Sequence, residues 1–230
     1  YEYELEAELL YTFTRNGSRA PAYSSIVAAG DNACILHYNT NNAEIKEGDL
    51  VLIDAGCEYE YYASDITRTF PASGKFTDEQ KAIYEIVLNA QEAAIEAIKP
   101  GALWDAPHNA SVEVITQGLI KLGLLEGKLL QLIKSEAYKD FYMHRVGHWI
   151  GMDVHDVGDY KVNGTWRMLE PGMVTTIEPG IYIAPDNIDV PERWRGIGVR
   201  IEDDVLVTKA GYRILTTGIP KTVSEIEAFM

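Results

Sequence analysis

Residues 48–70, GDLVLIDAGCEYEYYASDITRTF, hold two aspartates inside runs that otherwise have the character of buried strand. Leu50, Val51, Leu52 and Ile53 lead into Asp54, and Ile66, Thr67, Thr69 and Phe70 lead out of Asp65. β-Branched and aromatic residues suit a pleated, packed surface, whereas aspartate is disfavoured there and costly to bury alone. A hairpin turning at Tyr59–Glu60 would set Asp54 opposite Asp65, with Cβ atoms about 4.5–5.5 Å apart. Two like charges that close require something positive between them, and a metal ion is the obvious candidate.

With 230 residues the chain can build one sizeable core, so a single domain over 1–230 is expected. Its net charge of −15 argues against a nucleic-acid partner, because phosphate backbones select clustered Lys and Arg. No run approaches ~18 apolar residues, so no membrane span is expected. The two cysteines, Cys34 and Cys57, lack any CxxC spacing. They are expected to be small, part-buried and unpaired, which fits a reducing, cytoplasmic compartment. The amino terminus, YEYELEAELL, shows no basic and apolar leader; it starts like the inside of a helix, and an upstream part of the protein is expected.

Residues 1–16 pattern as an amphipathic helix with Leu5, Leu9 and Phe13 on one stripe and Gly17 as its stop. Glu2, Glu4, Glu6 and Glu8 are expected to form its solvated face. Thr77 followed by Gln80 forms a capping-box pattern, and Ile83, Ile86, Val87, Ala90, Ala94 and Ile98 continue at helical spacing until Pro100–Gly101. A second helix is expected over about 105–122, ending at Gly123, and a third over roughly 125–136. These helices carry few catalytic groups and have the character of scaffold. His108 is expected at the surface.

From Phe141 onward the strand and turn character returns, and an internal repeat emerges. Gly48-x5-Asp54-x-Gly56 recurs as Gly172-x5-Glu178-x-Gly180 at an offset of 124 residues. The second copy also has a partner strand, GVRIEDDVLVT, which holds Glu202. Each half thus supplies a strand pair with two carboxylates, which points to a duplicated architecture. Four such carboxylates in one dry core would be intolerable without cations, since each desolvated charge costs several kcal/mol. His148 brings the candidate ligands to five, a hard, oxygen-rich set suited to Mn²⁺, Co²⁺, Fe²⁺ or Zn²⁺. Five protein ligands are too many for one catalytic ion with an open position; two bridged ions about 3.5–4 Å apart fit better. Around them, His144-x3-His148 is either a helical pair or two loop residues. His155-Asp156 is either an Asp-oriented imidazole or a solvated turn. Arg200 and Glu202 lie two apart, on one strand face, where an exposed salt bridge is the plainer explanation.

These residues stand in stretches that resemble the C-terminal catalytic domain of the Xaa-Pro aminopeptidase (aminopeptidase P) family, among the pita-bread metallopeptidases. The matching stretches are ILHY (35–38), GDLVLIDAGCEY (48–59), SDITRTFP (64–71), HRVGHWIGMDVHDVG (144–158), EPGMVTTIEPGIYIAPD (170–186) and RGIGVRIEDDVLVT (195–208). The resemblance implies an α+β pita-bread fold: a curved antiparallel sheet in two pseudo-symmetric halves with outer helices. It implies two divalent metal ions, Mn²⁺ foremost, held by Asp54, Asp65, His148, Glu178 and Glu202, with Asp65 and Glu202 as bridges. It further implies that Glu178 guides protons to and from a metal-bridging hydroxide and that His155 contacts the scissile amide. His37 and His144 would line the substrate site, with Arg200 and Tyr182 ordering it from behind. The implied reaction removes an N-terminal residue that precedes proline.

Two departures accompany the resemblance. The family's separate N-terminal domain is absent from these residues, and the segment between the two histidines, usually Gly-Leu/Thr-Ser, is here Arg145-Val146-Gly147. Prolidase, cleaving Xaa-Pro dipeptides, shares the ligand set, and a metal-free pita-bread binding module is the alternative outside enzymes. The partners implied are peptides with proline in second position, and homo-oligomer formation is left open.

Overall fold

Two long antiparallel hairpins, each interrupted where its carboxylates stand, organise the molecule; the computed structural model describes all residues, 1–230. Helix α1 (Glu2–Arg15) is followed by strands β1 (Ala20–Pro21) and β2 (Ile26–Ala29). The first hairpin comprises β3 (Leu50–Asp54), β4 (Cys57–Tyr59), β5 (Tyr62–Ala63) and β6 (Thr67–Pro71). Helices α2 (Asp78–Glu96), α3 (Ala106–Leu122) and α4 (Leu129–Lys134) separate it from a small hairpin, β7 (Lys161–Val162) and β8 (Thr165–Trp166). The second long hairpin follows as β9 (Val174–Ile177), β10 (Gly180–Ile183), β11 (Ile197–Arg200) and β12 (Asp203–Thr208), and β13 (Gly211–Ile214) and α5 (Val223–Phe229) close the chain.

The interruptions divide the strands into five small antiparallel sheets: β1-β4-β5, β2-β3-β6, β13-β12-β9, β10-β11 and β7-β8. In the second hairpin, Ile177 faces Asp203 and Gly180 faces Arg200. Both pairs share one register, which carried across the break sets Glu178 opposite Glu202. In the first hairpin the register differs from expectation by two residues. Asp54 faces Thr67 rather than Asp65, and Tyr59 faces Tyr62. The turn is Glu60–Tyr61, with φ of 50° and 66°, so both central residues are left-handed, as a type I′ turn requires. Side chains alternate with a period of two, so this slip leaves Asp65 on the same face as Asp54, as its diagonal neighbour.

The two hairpins meet edge to edge. The Glu202 N–H donates to Thr67 O at 3.0 Å, and Thr69 Oγ1 donates to Arg200 O at 2.9 Å. Helices α2 and α3 cover one side, packing Ile83, Val87, Ile115 and Leu119 against Ile181, Ile183, Val199 and Ile201. Each such fully buried aliphatic side chain contributes about 1.5–3 kcal/mol. The Thr77–Gln80 capping box starts α2, and Gly123, at φ 71°, ends α3. The third helix is shorter than expected, α4 covering only Leu129–Lys134. Cys34 and Cys57 are free and part-buried.

Two expectations are overturned. Glu2 does not face solvent with Glu4 and Glu8; it is fully buried. Its carboxylate accepts from Ala29 N–H at 2.8 Å, Asn32 Nδ2 at 3.0 Å, Tyr38 Oη at 2.7 Å and Ala43 N–H at 2.9 Å, which offsets its desolvation. His108 is likewise interior, its ring centroid 5.7 Å from that of Tyr142 and its Nδ1 without a hydrogen-bond partner. Burial lowers its pKa to about 3, so it is neutral. It occupies the α3 face that packs inward, which the helical pattern counted as apolar at its neighbours only. No helix is long and apolar enough to cross a membrane.

Candidate metal centre

The carboxylates converge because each stands at the interruption of a hairpin, where strand pairing lapses and side chains can turn into the gap. In the first hairpin Gly56 makes the kink feasible: a Cβ there would lie 1.6 Å from Ser64 O. The histidine segment 144–149 is a loop, not a helix, and it runs along β9 as an irregular extra strand. Thr176 N–H donates to His148 O at 3.0 Å, and Glu178 N–H donates to Val146 O at 2.7 Å. Gly147 permits this approach, since a Cβ there would meet Thr176 O at 1.9 Å.

A cavity of about 1070 Å³ is lined by Asp54, Asp65, His148, Glu178 and Glu202, all five of the expected ligands, and His37, His144, His155 and Arg200 share its wall. Tyr182 stands just behind, its hydroxyl 2.9 Å from His144 Nε2 and accepting from Arg200 Nη1 at 3.0 Å. Among the expected ligands, Asp65, His148 and Glu202 form a compact group that could hold a metal ion, with one donor atom from each within 4.8 Å of the others. His148 Nε2 lies 3.3 Å from Asp65 Oδ2 and 3.5 Å from Glu178 Oε1. Its Nδ1 is 3.0 Å from Trp149 O, which fixes Nδ1 as the donor and leaves Nε2 facing the cavity.

Charge in this cavity does not balance within the protein. Among the four carboxylates of the cluster itself only one permanent cation makes a direct bond, Arg200, whose Nη2 bonds Asp54 Oδ2 at 2.6 Å. Arg200 is buried and directed at Asp54 and Tyr182, so the exposed Arg200–Glu202 salt bridge is not formed. Burial, with Asp65 and Glu178 as neighbours, holds the Glu202 carboxyl well above the usual range. Burial raises Glu178 to about 7 despite His148 and Arg200. Burial disfavours the imidazolium of His148, but the Asp65 hydrogen bond and the Glu178 charge outweigh it and raise the pKa to about 9. Burial and Arg200 lower His144 to about 4, which keeps it neutral.

Tyr23, not singled out in the sequence, makes the same point geometrically. Its hydroxyl lies 2.5 Å from both Asp54 Oδ1 and Asp65 Oδ1. A phenol has one proton to donate, so two carboxylates held this closely require further positive charge. Oxygen donors with one imidazole and a charge deficit fit a divalent metal ion.

Further residues support the ligands from behind. Thr67 Oγ1 donates to Glu202 Oε2 at 2.6 Å, and Thr176 Oγ1 to Glu178 Oε1 at 3.2 Å. Asp204 Oδ2 accepts the Asp65 N–H at 3.1 Å. Its neighbour Asp203 is buried and bonded by Arg68 Nη2 at 2.8 Å and Lys221 Nζ at 3.0 Å. Tyr23, Thr67 and Asp204 lie far along the chain from the groups they bond, and none of the three was singled out in the sequence. His155 is exposed at the cavity, its ring edge-on to His148 with centroids 4.3 Å apart. Asp156 caps Val157 N–H at 3.0 Å rather than orienting His155.

The sequence model of metallopeptidase family M24 matches residues 1–209. The chain belongs to this family. Among M24 relatives it is 54% identical to a Xaa-Pro aminopeptidase of Haemophilus influenzae, aligned over 100% of this chain and 53% of the relative. It superposes on the Pseudomonas aeruginosa aminopeptidase PepP with a TM-score of 0.99 and 67% identity, covering 100% of this chain and 52% of that one. An aminopeptidase P from Escherichia coli, solved with the inhibitor Pro-Leu, superposes with a TM-score of 0.97 at 51% identity, again over 100% and 52%. The chain therefore has the pita-bread fold of these M24 structures and spans about half the length of the relatives it matches.

Proposed function

We propose that the protein is a metal-dependent aminopeptidase that releases an N-terminal residue standing before proline, with residues 1–230 as its catalytic unit. The observation that carries this reading is the convergence of Asp65, His148 and Glu202, flanked by Asp54 and Glu178, in one cavity of an M24 chain. Relatives named Xaa-Pro aminopeptidase support it at 54% and 51% identity. The Pro-Leu inhibitor of the Escherichia coli relative begins with the residue this reaction would expose as the new amino terminus.

Those five residues would hold two divalent ions, with Asp65 and Glu202 between them; Mn²⁺ suits the hard donors best, and Co²⁺, Fe²⁺ or Zn²⁺ also fits. When bound, such ions supply Lewis acidity and an activated water. Glu178 would take up and return a proton through Oε2, which lies 4.0 Å from His144 Nδ1. His155 reaches into the cavity from its exposed loop and would contact the scissile amide. His37 and neutral His144 would line the substrate, with Tyr182 fixing His144 and Arg200 holding Asp54. Two free cysteines accord with a cytoplasmic setting, and sedimentation would show whether copies associate.

The test is hydrolysis of Xaa-Pro-Xaa tripeptides, Xaa-Pro dipeptides and Xaa-Ala-Xaa tripeptides by Mn²⁺-loaded protein. Release of the first residue from Xaa-Pro-Xaa alone or with larger substrates is the expected outcome. Cleavage confined to dipeptides would replace this reading with prolidase, and failure to retain any ion after dialysis against Mn²⁺ would leave a binding module.

A further inference from the structure

On the wall of the cavity stands a second group of side chains that the reaction above leaves unused. Hairpin β7–β8 pairs Lys161 directly with Trp166, through a turn at Asn163–Gly164 with φ of 51° and 78°. The ladder sets Lys161 Nζ 4.1 Å from the centroid of the Trp166 ring, and the Arg145 guanidinium lies 4.9 Å from the same ring. The hairpin's base is fastened by Trp104 N–H donating to Arg167 O at 2.8 Å, and by Arg167 N–H donating to Tyr160 O at 3.0 Å. Trp104 in turn packs on Trp149 and Tyr160, with centroids 4.0 and 4.8 Å away.

Arg145 and Lys161 are exposed, and neither has a carboxylate within salt-bridge distance or a side-chain hydrogen bond. In a chain of net charge −15, these two cations share one indole at the wall of the cavity. Asp159 lines the same cavity without pairing with either, and the remaining cation of the lining, Arg200, is bonded to Asp54. The ring holds both cations in place by cation–π attraction and so lowers the cost of ordering them around an anion.

We propose that Arg145 and Lys161, seated on Trp166, form a carboxylate-recognition subsite for the leaving side of the substrate. The proposal rests on the peptidase reading above. With the peptide's amino end and scissile bond at the carboxylate cluster, its departing portion runs along the wall of the same cavity toward the two cations. The group they bind is a carboxylate: the C-terminus of a short peptide or an acidic side chain of a longer one.

Two substrate pairs separate these sources. The first is Xaa-Pro-Ala as free acid and as amide; the second is an amidated Xaa-Pro pentapeptide carrying Glu or Gln beyond the proline. The wild-type protein loaded with Mn²⁺ is expected to prefer the carboxylate member of at least one pair by about three- to tenfold in kcat/KM, mainly through KM. The preference should fall to near unity in Arg145→Ala/Lys161→Ala and at 0.5 M salt, and Arg145→Lys should retain most of it. Equal rates within both pairs, or a preference that survives the double substitution, would overturn the proposal. Should no peptide be cleaved, the reaction proposed above fails, and tryptophan-fluorescence titration with Pro-Ala against Pro-Ala amide decides the subsite. Tighter binding of the acid that is lost in the double variant supports it, and equal binding or no binding overturns it.

Discussion

In the first hairpin Asp54 and Asp65 stand diagonally, share the Tyr23 hydroxyl, and Asp54 is paired with Arg200 from the other half; in the second, Glu178 and Glu202 stand face to face and accept hydrogen bonds from the hydroxyls of Thr176 and Thr67, with His148 beside Glu178. The difference lies in where neutralising charge comes from. Burial raises Asp54, but Arg200 works against the rise. Glu202 is as deeply buried and has three carboxylate neighbours, each of which outweighs Arg200. One pair is thus partly balanced by a guanidinium bonded directly to it, while in the other neither carboxylate bonds a permanent cation and only Glu178 lies near His148. The repeat has kept the placement of carboxylates at strand breaks while dividing the task of holding them unequally.

The sharpest way to break this comparison is to remove the internal cation. Arg200→Met should destabilise the metal-free protein by about 3–5 kcal/mol in urea unfolding, because Asp54 is left buried and unpaired. If its cost does not exceed that of an exposed substitution, Arg200 is not what balances the first pair. Next in size is loss of a ligand. Asp65→Ala and Glu202→Ala should each weaken Mn²⁺ binding in calorimetry by at least about a hundredfold and remove peptide hydrolysis, exceeding the 10–100-fold typical of supporting residues. Full activity in either variant would discard the shared-ligand reading.

Tyr23→Phe should have a smaller effect, about tenfold in metal affinity, by releasing both aspartates from their common donor. A loss confined to folding stability would make Tyr23 a packing residue only. An effect of similar size concerns acid. His108 is held neutral behind the second hairpin, with its pKa near 3 against 6.5 when exposed. The unfolded chain therefore binds a proton that the folded one does not, and stability falls as pH drops from about 6.5 toward 3. Replacing it in His108→Phe should recover about 1.4 kcal/mol at pH 5.5 relative to pH 7.5, measured by urea unfolding at both. An unchanged difference would show that His108 is solvated or protonated in the native state.

What could be seen in the sequence followed from local chemistry. The Thr77–Gln80 box, the Gly123 stop and the helices between them are written in adjacent residues. The carboxylates stood out because aspartate and glutamate are out of place in strands. The register of the first hairpin did not, because Glu60–Tyr61 adopts a left-handed two-residue turn without the Asn-Gly or Asp-Gly that usually announces it. Tyr23 was invisible for a different reason: its partners lie 31 and 42 residues away, and nothing near it is unusual. Glu2 and His108 show the same limit, since a helical wheel reveals which side is apolar and not that an acid or an imidazole has been given a niche of its own.

The edge-to-edge joining of the hairpins has a consequence during synthesis. Asp54 finds Arg200 across 146 residues, and Thr67 finds Glu202 across 135. At ~5–20 residues per second, the first hairpin is made roughly 7–30 s before its partners. Closing loops of that length is entropically slow and yields nothing until both sides are present. A nascent chain therefore carries two aspartates but no ion trap, and the selection of metal is left to the finished molecule, where cavity shape and the full donor set act together.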